Sequence, residues 1–255
     1  MSDQRQRAAL VTGGALRIGR AIVDALGNAG YAVAIHSNHS RDAAQQACKE
    51  IIARGGRAVA VTGDLSDHAS VLRLVPEASA AVGPLTLLVN NAGVFEPDGM
   101  GSLDRALFDR QFAVNLRAPL FLAEAFAAQT PKGGDACIVN ILDQRVYKPT
   151  PNFISYSLTK FALHTATTTL AQALAPAVRV NAVAPGPTLP SPRQDESAFA
   201  AQAAALPLGY GPQPRDVAEA VVYLAGARGV SGVTIAVDGG QHLAWQTPDT
   251  VGIEE

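Results

Sequence analysis

Cysteine, net charge and long apolar runs are all scarce in this chain. Only two cysteines, Cys48 and Cys137, occur among 255 residues. That is too few for a disulfide framework, and Cys137 lies inside an apolar, strand-like run, so both read as reduced bystanders. A formal net charge of −2 provides no field that would gather nucleic acid or an acidic membrane surface. Neither is an expected partner, and small molecules are. No apolar run approaches the ~20 residues of a membrane span. Met1 to Arg7 is polar and runs straight into a strand-like segment, without the apolar stretch and small-residue cleavage site of a secretion signal. A cytoplasmic setting is expected, and no metal site is.

What is present fits one globular unit. The hydrophobic fraction is 48% and the charged fraction 16%, enough to fill a core, and no composition shift, linker or repeat divides the chain. One domain over residues 1–255 is expected, a normal length for a doubly wound α/β unit. Seven near-continuously apolar runs begin at Ala8, Tyr31, Arg57, Leu85, Ala136, Arg179 and Val233, as the buried strands of a parallel sheet require. Segments of helical period separate them, among them RIGRAIVDALGNAG, ended by Gly30, and DVAEAVVYLAGA from Asp216. Strict alternation predicts a Rossmann-type parallel seven-stranded sheet with helices on both faces. The irregular stretch at about 187–214, Pro-rich with one short Ala-rich helix, reads as a substrate lid, because long insertions at strand carboxyl ends border ligand sites.

Three motifs carry chemistry. Thr12 to Gly19, TGGALRIG, follows a strand and opens a helix, where Gly-rich turns let backbone N–H groups approach a pyrophosphate. The second strand ends in His36, Ser37, Asn38, His39 and Ser40, then Arg41, with no acid before Asp42. An NAD site places a carboxylate there for the ribose 2′-OH, whereas hydroxyl, amide and imidazole donors suit a 2′-phosphate, so NADPH is expected over NADH. Tyr156 and Lys160, four apart, share a helical face, so the ammonium can sit beneath the phenol and lower its pKa. Asp143 lies thirteen residues before that tyrosine.

With NNAG at 90–93, Asn115 in RQFAVNLRAPL and PGPT at 185–188 in the same order, the chain resembles the short-chain dehydrogenase/reductase family, and within it the pteridine reductases. The resemblance implies cofactor contacts from Gly13, Ile18 and Gly19, with Arg17 at the middle glycine position as in pteridine reductases, reaching cofactor phosphate and substrate. It implies that Asp64 and Leu65 hold the adenine, that Asn91, Ala92 and Gly93 close over the cofactor, and that Pro185, Gly186 and Thr188 border it. Tyr156 is then the proton donor, and Lys160 both tunes it and binds the nicotinamide ribose. Asn115 anchors a water that leads protons to that lysine. A homotetramer is implied, through the helices carrying Tyr156 and Asn115. Gly93 and His39 depart from this pattern, where several pteridine reductases have Ser and some have Arg.

Most members of the family carry Ser where this chain has Asp143. An ionised carboxylate cannot donate to a developing alkoxide, so simple ketone reduction is disfavoured. It can accept from N–H groups, or, if protonated through burial, share a proton with Tyr156 during transfer to a ring nitrogen. A pterin offers such groups, and Phe95, two residues after NNAG, stands where pteridine reductases stack an aromatic on the pterin. The expected activity is NADPH-dependent reduction of a dihydropterin or dihydrofolate, with substrate contacts from Arg17, Phe95, Asp143 and Tyr156. The alternatives are a ketone or aldehyde reductase of the same family, or a non-catalytic dinucleotide-binding sensor.

Overall fold

The computed structural model describes residues 7–130, 135–191 and 193–247; Met1 to Gln6 of the polar leader, Pro192 of the lid stretch and the end of the chain lie outside them. Seven strands, β1 (Ala8–Val11), β2 (Ala32–Ser37), β3 (Arg57–Thr62), β4 (Leu87–Asn90), β5 (Ala136–Ile141), β6 (Val178–Pro185) and β7 (Thr234–Val237), form one sheet in the order β3-β2-β1-β4-β5-β6-β7. Every neighbouring pair is parallel. Each strand falls on one of the seven apolar runs, β6 beginning one residue before its run, at Val178. The order reverses between β1 and β4, so the crossovers diverge there and leave a crevice at the strands' carboxyl ends.

Helices cover both faces, because strand side chains alternate and each face must be buried. On one face α3 (His68–Val82), α5 (Ala118–Gln129) and α6 (Ile154–Leu174) bring Leu74, Leu122, Phe126 and Ala171 against Leu10, Leu88, Ile138 and Val180. On the other α1 (Arg17–Asn28), α2 (Arg41–Ala53) and α8 (Pro214–Gly226) bring Ile22, Leu26, Ile51 and Val221 against Val11, Ile35, Val89 and Val139. Burying such a side chain fully contributes about 1.5–3 kcal/mol each, so the sheet is a rigid base for the loops at its carboxyl edge. The expected Ala-rich helix of the lid stretch is α7 (Glu196–Ala204), and α4 (Arg105–Phe112) precedes α5. Cys48 and Cys137 are free and buried. Among the described residues no helix is long and apolar enough to cross a membrane.

Candidate active site

A cleft of about 510 Å³ opens at the carboxyl edge of the sheet, where the strand order reverses. Its floor is the turn between β1 and α1. Gly13 has φ +61, and a side chain there would crowd the backbone of Ala92 at 3.0 Å. At Gly19 the constraint is closer, since a Cβ would fall 2.1 Å from the Gly13 carbonyl oxygen and 2.5 Å from Asn91 Nδ2. Asn91 fastens the turn by donating from Nδ2 to the carbonyls of Thr12 and Gly13 at 2.9 and 3.1 Å. No side chain caps the N-terminus of α1. Leu16, Arg17 and Ile18 at this helix start line the cleft, and an uncapped helix start is suited to an anion. Ile18, Ala92 and Gly93 line the same wall.

The end of β2 divides into two parts. His36 is occupied internally: its Nδ1 accepts from the Gly13 N–H at 3.1 Å, and its Nε2 lies 3.0 Å from the Gly63 carbonyl. Burial lowers its pKa, so the ring is a neutral brace between β2 and the dinucleotide turn. Both ring nitrogens are thus engaged, and the residue still lines the cleft. Ser37 differs, because its hydroxyl is buried and has no hydrogen-bond partner among the described residues, while the residue lines the cleft. Buried polar groups are rarely left unpaired, so this hydroxyl fits a bound polar group. Asn38, His39 and Ser40 line the cleft beside it, as do Asp64 and Leu65. The Asp64 carboxylate is held by the N–H and hydroxyl of Ser66, both at 2.8 Å, which lowers its pKa. Pro185 and Gly186 line the cleft. Thr188 does not; its hydroxyl donates to the Gly186 carbonyl at 3.0 Å.

Helix α6 brings Tyr156 and Lys160 to the cleft, and its start is set from a distance. Phe153 precedes it in the left-handed region, at φ 59 and ψ 50, with no side-chain cap of its own. Asp98, in the loop after β4, takes over the capping: both its oxygens accept from the Ser155 N–H at 3.2 Å, and it also accepts from the Ser155 hydroxyl. The loop that carries Phe95 and the helix that carries Tyr156 are thus tied together. Asn115 lies in a π-helical turn, Ala113–Arg117. Its amide brackets Val94, accepting from the N–H at 2.7 Å and donating to the carbonyl at 2.9 Å, and π-turns of this kind often mark functional sites.

The Tyr156 hydroxyl donates to Asp143 Oδ2 at 3.0 Å. Both residues line the cleft. Lys160 is buried, and its ammonium donates to the Ile141 carbonyl at 2.8 Å. Burial brings its pKa down to about 8. The phenol of Tyr156 is pushed well above 10, by burial first and then by the charge and hydrogen bond of Asp143. The opposing cation is Arg145. The expectation that Lys160 lowers the tyrosine is not met: the ammonium donates to backbone, and burial, followed by the Asp143 carboxylate, raises the phenol.

Behind the substrate side of the cleft stand three residues that no sequence motif singles out, Arg145, Phe153 and Arg193. Arg145 donates from its backbone to Asp143 Oδ1 at 2.9 Å and from Nη1 to Oδ2 at 3.0 Å. Phe153 stacks on Phe95, with centroids 4.4 Å apart and planes within 13°, so one face of the Phe95 ring is already covered. Phe95 also meets Tyr156 edge-on at 4.7 Å. Arg193, from the lid stretch, donates to the Phe95 carbonyl and to Glu96, both at 2.9 Å. Arg17, at φ 54, donates to the carbonyls of Leu189 and Pro190 at 3.3 and 3.0 Å. Two arginines thus tie the 187–214 stretch to the edge of the cleft. The only early sign of Arg145 was its place two residues after Asp143; nothing pointed to Phe153.

Residues 7–200 match the family model described as short chain dehydrogenase. An uncharacterized oxidoreductase of Methylorubrum extorquens is 35% identical, the match covering 94% of this chain and 99% of the relative. Two solved structures are similar throughout. FolM alternative dihydrofolate reductase 1 from Brucella canis, complexed with NADP, is 50% identical with a TM-score of 0.93, covering 96% of this chain and 97% of the other. Its counterpart from Brucella suis, also with NADP, is 51% identical with a TM-score of 0.93, covering 95% and 98%.

Proposed function

This chain belongs to the short-chain dehydrogenase family, and from that premise we propose that it is an NADPH-dependent reductase of a dihydropterin or dihydrofolate ring. When bound, the nicotinamide supplies a hydride. The residues suited to hold NADPH are the uncapped start of α1 with Gly13, Ile18 and Gly19 for the pyrophosphate, and Ser37, Asn38, His39 and Ser40 for the 2′-phosphate. The orphan Ser37 hydroxyl and the absence of an acid at the end of β2 fit that phosphate. Asp64, Leu65, Asn91, Ala92, Gly93, Pro185 and Gly186 form the remaining walls.

The observation that carries the substrate reading is the Asp143 carboxylate, 3.0 Å from the Tyr156 oxygen, where a ketone reductase needs a neutral donor. Tyr156 gives its proton to a ring nitrogen and Asp143 accepts from substrate N–H groups, while Phe95 supplies an aromatic wall. Lys160 holds the tyrosine's surroundings, and Asn115 keeps the loop of Val94 and Phe95 in place. The Brucella proteins named alternative dihydrofolate reductases lend independent support. One domain over residues 1–255, a lid at 187–214, a homotetramer and a cytoplasmic setting belong to the same proposal, the last supported by two cysteines that stay free and buried.

The test is a panel of dihydrobiopterin, dihydromonapterin, dihydrofolate and simple ketones, run on the wild type and on Asp143→Ser. Pterin or folate turnover should fall strongly in the variant, because the acceptor is lost, by about 1–3 kcal/mol in the barrier. Ketone turnover should stay level or rise. A wild type that reduces ketones and no pterin or folate overturns the substrate reading and leaves the NADPH-dependent reductase.

A further inference from the structure

A carboxylate is an awkward neighbour for a proton donor. Its charge holds the phenol proton in place, since releasing that proton would set two anions side by side. Burial increases the penalty, because Tyr156 is only 7% exposed, and Lys160 is committed to the Ile141 carbonyl. Among the described residues, one other cation hydrogen-bonds the pair. The Arg145 guanidinium and the Tyr156 hydroxyl donate to the same oxygen, Asp143 Oδ2, each at 3.0 Å, while the Arg145 backbone N–H takes Oδ1. The carboxylate is therefore clamped at both oxygens by one residue, with Oδ2 aimed at the phenol.

The guanidinium is itself fixed. Its carbon lies 5.3 Å from the centroids of both Phe95 and Phe153, and a planar guanidinium suits such aromatic faces better than an ammonium. Its side chain is 21% exposed, against 15% for Asp143, so water screens the pair little. Arg145 is not among the residues lining the cleft; it acts from behind the carboxylate.

We propose that Arg145 is the positioning residue of the proton donor: it aims Asp143 at Tyr156 and offsets the carboxylate's charge, so that the phenol can yield its proton to the substrate. In that step the Tyr156 O–H bond breaks and a bond to hydrogen forms on the substrate. The O–H electron pair stays on the phenolate oxygen, the proton is bound by the electron pair that hydride addition leaves on the substrate, and the Arg145 guanidinium on Asp143 offsets the second negative charge so formed until solvent returns a proton to the phenolate. The inference rests on the reductase reading above but not on the choice of pterin over ketone.

Arg145→Met and Arg145→Lys are compared with the wild type on whichever substrate the panel identifies, in light and heavy water, with NADPH titration and thermal melting alongside. Arg145→Met should lower kcat by about tenfold or more, since it weakens general-acid catalysis, and leave NADPH affinity within about threefold. Its solvent deuterium isotope effect on kcat should increase, because proton transfer becomes more rate-limiting. Arg145→Lys keeps the charge but loses the planar fork and its aromatic seat, so it should recover part of the loss. If the methionine variant does not fold, Arg145→Gln takes its place with the same expectations. An unchanged kcat or an unchanged isotope effect overturns the proposal, as does a lysine variant as impaired as the methionine one. Failure of every pterin in the panel sinks the substrate reading alone, because the comparison then runs on a ketone.

Discussion

The turn between β1 and α1 and the loop between β5 and α6 both line the cleft, yet they are held in different ways. The first is short and made of backbone: glycines that leave room for Ala92 and Asn91, amides that are left free at the helix start, and His36 bracing it from β2. The second depends on side chains from separate segments. Asp143 and Arg145 come from the loop itself, Tyr156 from α6, Phe95 and Asp98 from the loop after β4, and Arg193 from the lid stretch. The turn is thus fixed by a few positions of backbone with braces from β2 and Asn91, whereas the β5–α6 loop is fixed by side chains of several segments. Substitutions on the two sides should fail in separable ways, one in cofactor binding and the other in turnover.

The sharpest separation is expected at Tyr156→Phe. It deletes one hydroxyl and keeps the ring, so turnover should fall by about 10²–10⁴-fold with NADPH affinity nearly unchanged. Retention of most of the wild-type rate would mean that another group donates the proton.

Gly19→Ala tests the other side. A methyl 2.1 Å from the Gly13 oxygen must displace the turn, at about 1–3 kcal/mol. Isothermal titration should show NADPH binding weakened by about ten- to a hundredfold. If affinity holds, the turn is not where the pyrophosphate sits.

Ser37→Asp is a smaller change on the same side. A carboxylate in place of the orphan hydroxyl would repel a 2′-phosphate and accept from a ribose hydroxyl, moving the NADPH-to-NADH preference by about tenfold, or 1.4 kcal/mol. Fluorescence titration with both nucleotides measures it, and no shift would place the ribose elsewhere.

The smallest effect belongs to Lys160. Its folded pKa, about 8, lies below the ~10.4 of an unfolded chain. The cost of burying its charge is fully present below pH 8 and is relieved as pH rises toward that unfolded value. Between pH 8 and 9 the ligand-free protein should gain about 1 kcal/mol from this group. Burial raises both cysteines, Cys137 to about 11, which works in the opposite direction over the same range, so the measured quantity is the difference in denaturant stability between wild type and Lys160→Met. A difference that does not change with pH would mean that the ammonium is well solvated.

Some of this protein was determined by its sequence alone. The seven apolar runs became the seven strands because a parallel sheet buried on both faces tolerates little else. The dinucleotide turn was legible because its constraints, a left-handed residue and close backbone approach, are met by glycine within a few positions of chain. Tyr156 and Lys160 were legible because a four-residue spacing becomes a shared face on any helix. Only the tertiary structure decided the rest. It decided that His36 braces the turn through both ring nitrogens, that Lys160 faces the Ile141 carbonyl, and that Asp143 answers to Arg145. It also decided that Phe95 meets Phe153, fifty-eight residues away in the chain. Each of these depends on where a buried polar or aromatic group finds its partner. That partner is set by packing between segments far apart in the chain, which no local spacing records.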